Sequence, residues 1–336
     1  MTLINRLKSI TRSIKGTAIA LSVSLLFFSL TACSNQMQED EKVAEPIIEA
    51  PQDTFANNGI SEYLQQIYAD SSRRFSEFFT PEEYVKLCSV ADSISAEPSY
   101  AISKYVFSVH QDISTYNVSE HNYLVIDTSG NTVIDYGQND SVDFTINNVA
   151  FGSLTFFYTG SRTYDILDEQ GRILNSVQYS KDPVYIADLG SGFYLFATIS
   201  NIGRSSYDLY ILNPDGKCYQ VINPTGYWKA RIDIDMSEIP AKYSIDAQIG
   251  NVSEGMVSVC YTRSVRGSDE TCAYYCDTSG NLVINLSSNE MNFHVTELED
   301  FSNGLAQIEF VGADRKKYQA TINQSGQFVD EPELIS

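Results

Sequence analysis

The chain has 336 residues, 43 of them acidic and 22 basic, for a formal net charge of −21. A surface this acidic repels phosphate backbones and anionic headgroups, which excludes nucleic acid as a partner. Tyr (22) and Phe (17) are abundant while Trp occurs once, a balance that leans towards β-sheet.

The first element is a leader. Arg6, Lys8, Arg12 and Lys15 form a basic segment without acidic residues, and from Gly16 to Ala32 the chain is apolar or small. That core of about 15 residues is short for a bilayer span and suits a secretory signal. It ends in Leu30-Thr31-Ala32-Cys33, which resembles the lipobox of bacterial lipoproteins. The resemblance implies that residues 1–32 are a cleaved signal peptide and that Cys33 is lipidated. The mature chain would then be held by lipid on the extracytoplasmic face of a bacterial membrane. Cleavage removes four positive charges and no negative ones, so the net charge moves from −21 to −25.

Residues 33–59 are polar, acidic and interrupted by Pro46 and Pro51, and we expect a disordered tether there. Residues 60–99 differ. Tyr63, Leu64, Ile67, Phe75 and Phe78 fall near helical spacing. Thr80-Pro81-Glu82-Glu83 reads as a helix start, with Thr80 as N-cap and Glu83 completing a capping box. Two short helices are predicted.

Residues 100–336 repeat. Asp127-Thr128-Ser129-Gly130, Asp168-Glu169-Gln170-Gly171, Asn213-Pro214-Asp215-Gly216, Asp277-Thr278-Ser279-Gly280 and Asn323-Gln324-Ser325-Gly326 each follow an apolar or aromatic run. Asp or Asn opens such a turn by bonding its own backbone, and Gly supplies positive φ, so each unit is a β-hairpin. The glycines are 41, 45, 64 and 46 residues apart, the long interval pointing to an insertion around residues 222–245 that holds Trp228. A second motif, ending in Gly152, Gly192, Gly255 or Gly304, precedes four of the hairpins by 19 to 25 residues. Two motifs in fixed order predict an all-β repeat.

Phe301-Ser302-Asn303-Gly304-Leu305-Ala306, followed by Tyr318 to Ile322 and Asn323-Gln324-Ser325-Gly326, resembles the WG-type repeat of bacterial proteins. The Trp-Gly pair itself is missing; Lys317-Tyr318 and Thr271-Cys272 stand in its place. The resemblance spans roughly residues 120–330 and implies a β-propeller-like arrangement of about five to six blades. Closure removes sheet edges and favours a propeller over an open solenoid of the same hairpins.

Besides Cys33 there are five cysteines, Cys88, Cys218, Cys260, Cys272 and Cys276. In a hairpin turning near Arg266-Gly267, Cys260 and Cys272 sit roughly opposite each other, either as a cross-strand disulfide or as buried thiols. His110, His121 and His294 share no metal-ligand spacing, and Cys272 and Cys276 lack a close Cys-x-x-Cys arrangement. Asp233 and Asp235 alternate and share one strand face. No catalytic residue, metal or cofactor is read from the sequence.

The expectation is therefore a lipid-anchored, non-catalytic module that binds a protein or glycan. The alternative is an envelope hydrolase whose carboxylates come from several repeats. Asp233, Asp235 and His294 are the first places to look for it.

Overall fold

In the computed structural model the chain divides after Ile48, and the unit Glu49–Ser336 carries every element below. The structure describes residues 52–115, 118–139, 148–199, 207–223, 232–235, 242–265, 268–288 and 291–335. The expected signal peptide, Cys33, the first part of the expected tether and Trp228 lie outside the described residues.

The helices are α1 (Gln52–Asn57) and, within residues 60–99 where two were expected, three more: α2 (Glu62–Ala69), α3 (Phe75–Phe78) and α4 (Pro81–Asp92). Helix α1 falls inside the stretch read as disordered. Its one aromatic residue, Phe55, is buried, with its ring 5.3 Å from Tyr68 and 6.3 Å from Tyr84. A single anchoring ring in a polar hexapeptide leaves no periodic pattern to read. The Ser61 hydroxyl caps α2 by accepting from the Leu64 amide at 3.3 Å. The capping box predicted at Thr80 is present on α4. Thr80 Oγ1 accepts from the Glu83 amide (3.3 Å), and the Thr80 amide donates to Glu83 Oε2 (2.8 Å).

Beyond α4 the chain forms five four-stranded antiparallel sheets, each with its strands in sequence order. Sheet 1 holds β1 (Glu97–Ala101), β2 (Val106–Thr115), β3 (Val118–Asp127) and β4 (Thr132–Asn139). Sheet 2 holds β5 (Val149–Phe151), β6 (Leu154–Gly160), β7 (Thr163–Leu167) and β8 (Ile173–Gln178). Sheet 3 holds β9 (Pro183–Gly190), β10 (Phe193–Ile199), β11 (Tyr207–Leu212) and β12 (Cys218–Gln220). The ribbon β13 (Ile232–Asp235) and β14 (Lys242–Ile245) occupies the expected insertion. Sheet 4 holds β15 (Gln248–Ile249), β16 (Met256–Val265), β17 (Ser268–Asp277) and β18 (Leu282–Asn285). Sheet 5 holds β19 (His294–Leu298), β20 (Leu305–Val311), β21 (Lys317–Asn323) and β22 (Glu333–Leu334). The fold is all-β, a propeller-like repeat of hairpin units preceded by helices.

The two sequence motifs are the two tight turns at one end of sheets 2 to 5; sheet 1 has the Asp motif and joins its first two strands through residues 102–105. The Asp or Asn motif joins strands three and four. The other joins strands one and two, as at Ser191-Gly192, Glu254-Gly255 and Asn303-Gly304, where both central residues have positive φ. In sheet 2 the glycine moves one place forward, and only Gly152 of Gly152-Ser153 has positive φ.

Strand alternation sends the side chains of sheets 1 to 4 into two apolar layers. Leu124 and Ile126 of β3 meet the helices, through Phe75, Tyr84 and Leu87, while Tyr123 and Val125 meet Phe157 and Leu167 of sheet 2. Phe156 of β6 meets Phe196 of sheet 3, and Leu195 of β10 shares a layer with Val257 and Tyr274 of sheet 4. Cys260 and Tyr275 join Ile308 and Ile322 of sheet 5. The centres of the inner strands of sheets 1 to 4 are buried on both faces, as at 106–109, 123–126, 154–157, 194–198, 256–261 and 271–276. Strand β20 alternates instead: Ala306, Ile308 and Phe310 are buried, whereas Leu305 and Gln307 are exposed and Glu309 is half-buried. Gln319 Nε2 donates to Gln307 Oε1 at 3.0 Å on that outer face, and Lys317 pairs with Glu309. The helices thus cover one end of the succession, and a polar face ends the other.

Candidate functional site

Five turns of one design line the turn end. Asp127 Oδ1 accepts from the amides of Ser129 (2.8 Å) and Asn131 (2.9 Å). Asn213 Oδ1 does the same for Asp215 (3.0 Å) and Lys217 (2.8 Å), and the oxygens of Asp168, Asp277 and Asn323 repeat the pattern. These side chains close the turn's own backbone.

A cleft of about 550 Å³ opens here between sheets 2 and 3. Ser153, Asp168, Glu169, Gln170, Arg172, Pro214 and Asp215 rim it, with Leu154 and Leu174 supplying apolar surface. Asp168 Oδ2 receives the Arg172 guanidinium at 2.6 Å while its Oδ1 accepts two turn amides, so the carboxylate is fully engaged. Glu169, Gln170 and Asp215 are exposed. Across the junction Asn175 Nδ2 donates to the Gly216 carbonyl at 3.1 Å, joining the two walls. The cleft offers acceptors, one amide and one guanidinium to a ligand, beside a small apolar wall.

A second constellation lies on sheet 1. The β2–β3 register sets His110 opposite Tyr123 and Asp112 opposite His121, which puts all four on one face. The imidazole centroids are 6.0 Å apart with planes at 77°. His121 Nδ1 lies 2.6 Å from Asp112 Oδ1, and His110 Nε2 lies 3.7 Å from Glu97 Oε2 on β1. Burial holds the His110 imidazole below its usual value, against the opposing pull of Glu97 and Asp112. Neither histidine stood out by sequence spacing. What brings them together is the β2–β3 register, which pairs Thr115 with Val118 and Asp112 with His121.

Of the residues singled out from sequence, Cys33 lies outside the described residues. The disulfide considered between Cys260 and Cys272 is corrected by the register. Cys260 pairs with Ala273 and Cys272 with Tyr261, one residue out of step. Cys260 therefore enters the layer towards sheet 5 and Cys272 the layer towards sheet 3, on opposite faces that no bridge can span. Burial pushes the Cys88 and Cys218 thiols up to about 11 and those of Cys260 and Cys276 up to about 12, so they remain protonated at neutral pH. Asp233 and Asp235 pair through the backbone with Ser244 and Lys242, and their side chains lie outside the described residues. His294 is exposed at the start of β19. Among the described residues no three His, Cys, Asp or Glu side chains converge as a ligand set.

No protein-family model and no curated protein matches the chain. Among solved structures, it is similar to a protein of unknown function from Bacteroides caccae, at 13% identity and TM-score 0.20. That match covers 64% of this chain and 90% of the other. BamB from Moraxella catarrhalis aligns at 11% identity and TM-score 0.20, over 69% of this chain and 74% of that one. Prolyl oligopeptidase B from Galerina marginata aligns at 12% identity and TM-score 0.28, over 69% of this chain but only 33% of the oligopeptidase. At such TM-scores no role passes from these proteins to this one, and the fold rests on the five sheets themselves.

Proposed function

We propose that this chain is a lipid-anchored extracytoplasmic protein that binds a protein or glycan through the turn end of its repeat, without catalysing a reaction. The observation that carries this reading is the cleft between sheets 2 and 3. Its one buried carboxylate, Asp168, is locked by turn amides and Arg172, while Glu169, Gln170, Asp215 and Leu174 face outward for contact. A general acid or base needs a proton site that its neighbours leave open, whereas a recognition surface needs only exposed, positioned groups. The leader ending in Leu30-Thr31-Ala32-Cys33 supports the anchor, and the turn motifs support kinship with WG-type repeats.

Two measurements test it. Cys33→Ser should abolish incorporation of a labelled fatty acid and move the protein out of the membrane fraction; unchanged labelling removes the anchor. The full chain, extracted in detergent, is then used to retain partners from envelope extract and a glycan panel. Glu169→Lys with Asp215→Lys should lower retention at least tenfold. Retention that ignores the double variant moves the site elsewhere, and cleavage of a retained component overturns the non-catalytic reading.

A further inference from the structure

We propose that His110 and His121 form a binding site for a divalent transition-metal ion on the face of sheet 1, with Asp112 as the carboxylate that orients the His121 ring.

The geometry admits one ion between two imidazoles. A ligating ring nitrogen sits about 2.0–2.1 Å from such a metal, so two rings sharing an ion have centroids from roughly 4.5 Å apart at a right angle to about 6.4 Å when they oppose each other. Here the centroids are 6.0 Å apart and the planes stand at 77°. The rings are diagonal neighbours on paired strands, so the backbone register rather than a loop sets their separation.

The carboxylates complete the arrangement. Metal-bound histidines commonly give their second nitrogen to a carboxylate, which fixes the tautomer and raises ligand basicity. Asp112 Oδ1, 2.6 Å from His121 Nδ1, does this and leaves Nε2 as the coordinating atom. Glu97, 3.7 Å from His110 Nε2, is too far to fix that ring's tautomer but adds negative charge beside it. Two negative charges beside two neutral donors also attract a cation. The side chains of His110 and His121 are 19% and 36% exposed, which admits an ion while keeping the site partly dry.

The donor set selects the class of ion. Imidazole nitrogen favours Cu²⁺, Ni²⁺ and Zn²⁺, while Mg²⁺ and Ca²⁺ require oxygen ligands. With two protein ligands, the remaining positions fall to water. The site is independent of the cleft between sheets 2 and 3, and its failure leaves the binding-module reading untouched.

The test uses the full chain, stripped with chelator and titrated with Cu²⁺ alone. Electron paramagnetic resonance should report one ion per chain with hyperfine splitting from two nitrogens. His110→Ala and His121→Ala should each remove one nitrogen and weaken binding at least tenfold. Asp112→Asn should weaken it by 10- to 100-fold with both nitrogens retained, the usual range for a lost orienting carboxylate. His294→Ala should change nothing. Circular dichroism checks each variant's fold, and His121→Gln replaces any alanine variant that fails to fold. Absence of a two-nitrogen signal, or equal binding by a folded His110→Ala/His121→Ala double variant, overturns the proposal.

Discussion

Gly255 and Gly280 hold nearly the same backbone angle, φ +79° and +76°, yet they answer to different demands. At Gly255 an added Cβ meets nothing within 4 Å, whereas at Gly280 it would overlap the Gln220 carbonyl oxygen on the outer side of sheet 3. The first glycine is required only by its turn, the second also by a neighbouring sheet. Gly255→Ala should therefore cost about 1–2 kcal/mol, the penalty of left-handed backbone for an L-residue. Gly280→Ala adds an overpacking penalty of about 1–3 kcal/mol. Urea titration of both variants checks the order; equal losses would mean that the turn of sheet 4 moves away freely. The same seating recurs where Gly171 faces Val133, Gly216 faces Leu174 and Gly326 faces Ile284. Each of these contacts lies on the outer strand of the preceding sheet.

The helix α4 capping box makes a pH-dependent element. The Thr80 amide and hydroxyl, bonded to the ionised Glu83 side chain and its amide, hold the Glu83 carboxyl below its usual value. A lowered carboxyl pKa stabilises the fold above the unfolded value, and that contribution disappears as pH falls through the folded one. The stability gap between the protein and Glu83→Ala should be present at pH 7 and shrink steadily as pH falls below the ordinary carboxylate range; a gap that does not change with pH would assign it to packing. Thr80→Ala should cost about 1 kcal/mol. This box was legible because its spacing is local. The repeat was legible for the same reason, since Asp or Asn and Gly sit within one turn. Of the two alternatives for Cys260 and Cys272, the disulfide fell and burial held, because a single residue of register exchanges the faces of a strand and sequence spacing alone does not fix register. His110 and His121 came together only through that same register, 11 positions apart in the chain.

Across the whole folded unit, the helices fill the position of a preceding sheet. Gly130 of the first repeat faces Val90 of α4, where later repeats face the outer strand of the sheet before them. Phe75 is fully buried in that layer, its ring 5.0 Å from Tyr84 and 6.2 Å from Phe107 of β2. Phe75→Ala should cost about 3–5 kcal/mol. Hydrogen exchange should place the loss in the helices and sheet 1 and leave sheets 3 to 5 unchanged, as expected of units that contact only neighbours. Protection lost evenly over all five sheets would show a single cooperative block. At the other end Leu305-Ala306-Gln307-Ile308-Glu309-Phe310 alternates more exposed with buried positions, unlike the doubly buried centres of the inner strands. The helical cover was harder to foresee, because Phe55 gives α1 no periodic signature.

This helical layer also determines how the folded unit carries mechanical load. Tension arriving from the N-terminal side reaches Phe55 and the helices before any sheet. The aromatic contacts among Phe55, Tyr68 and Tyr84 then act as the first yield point, ahead of the hydrogen-bonded ladders of the sheets. The helices would peel away as a fuse while the repeats, and the cleft between the second and third of them, stay intact.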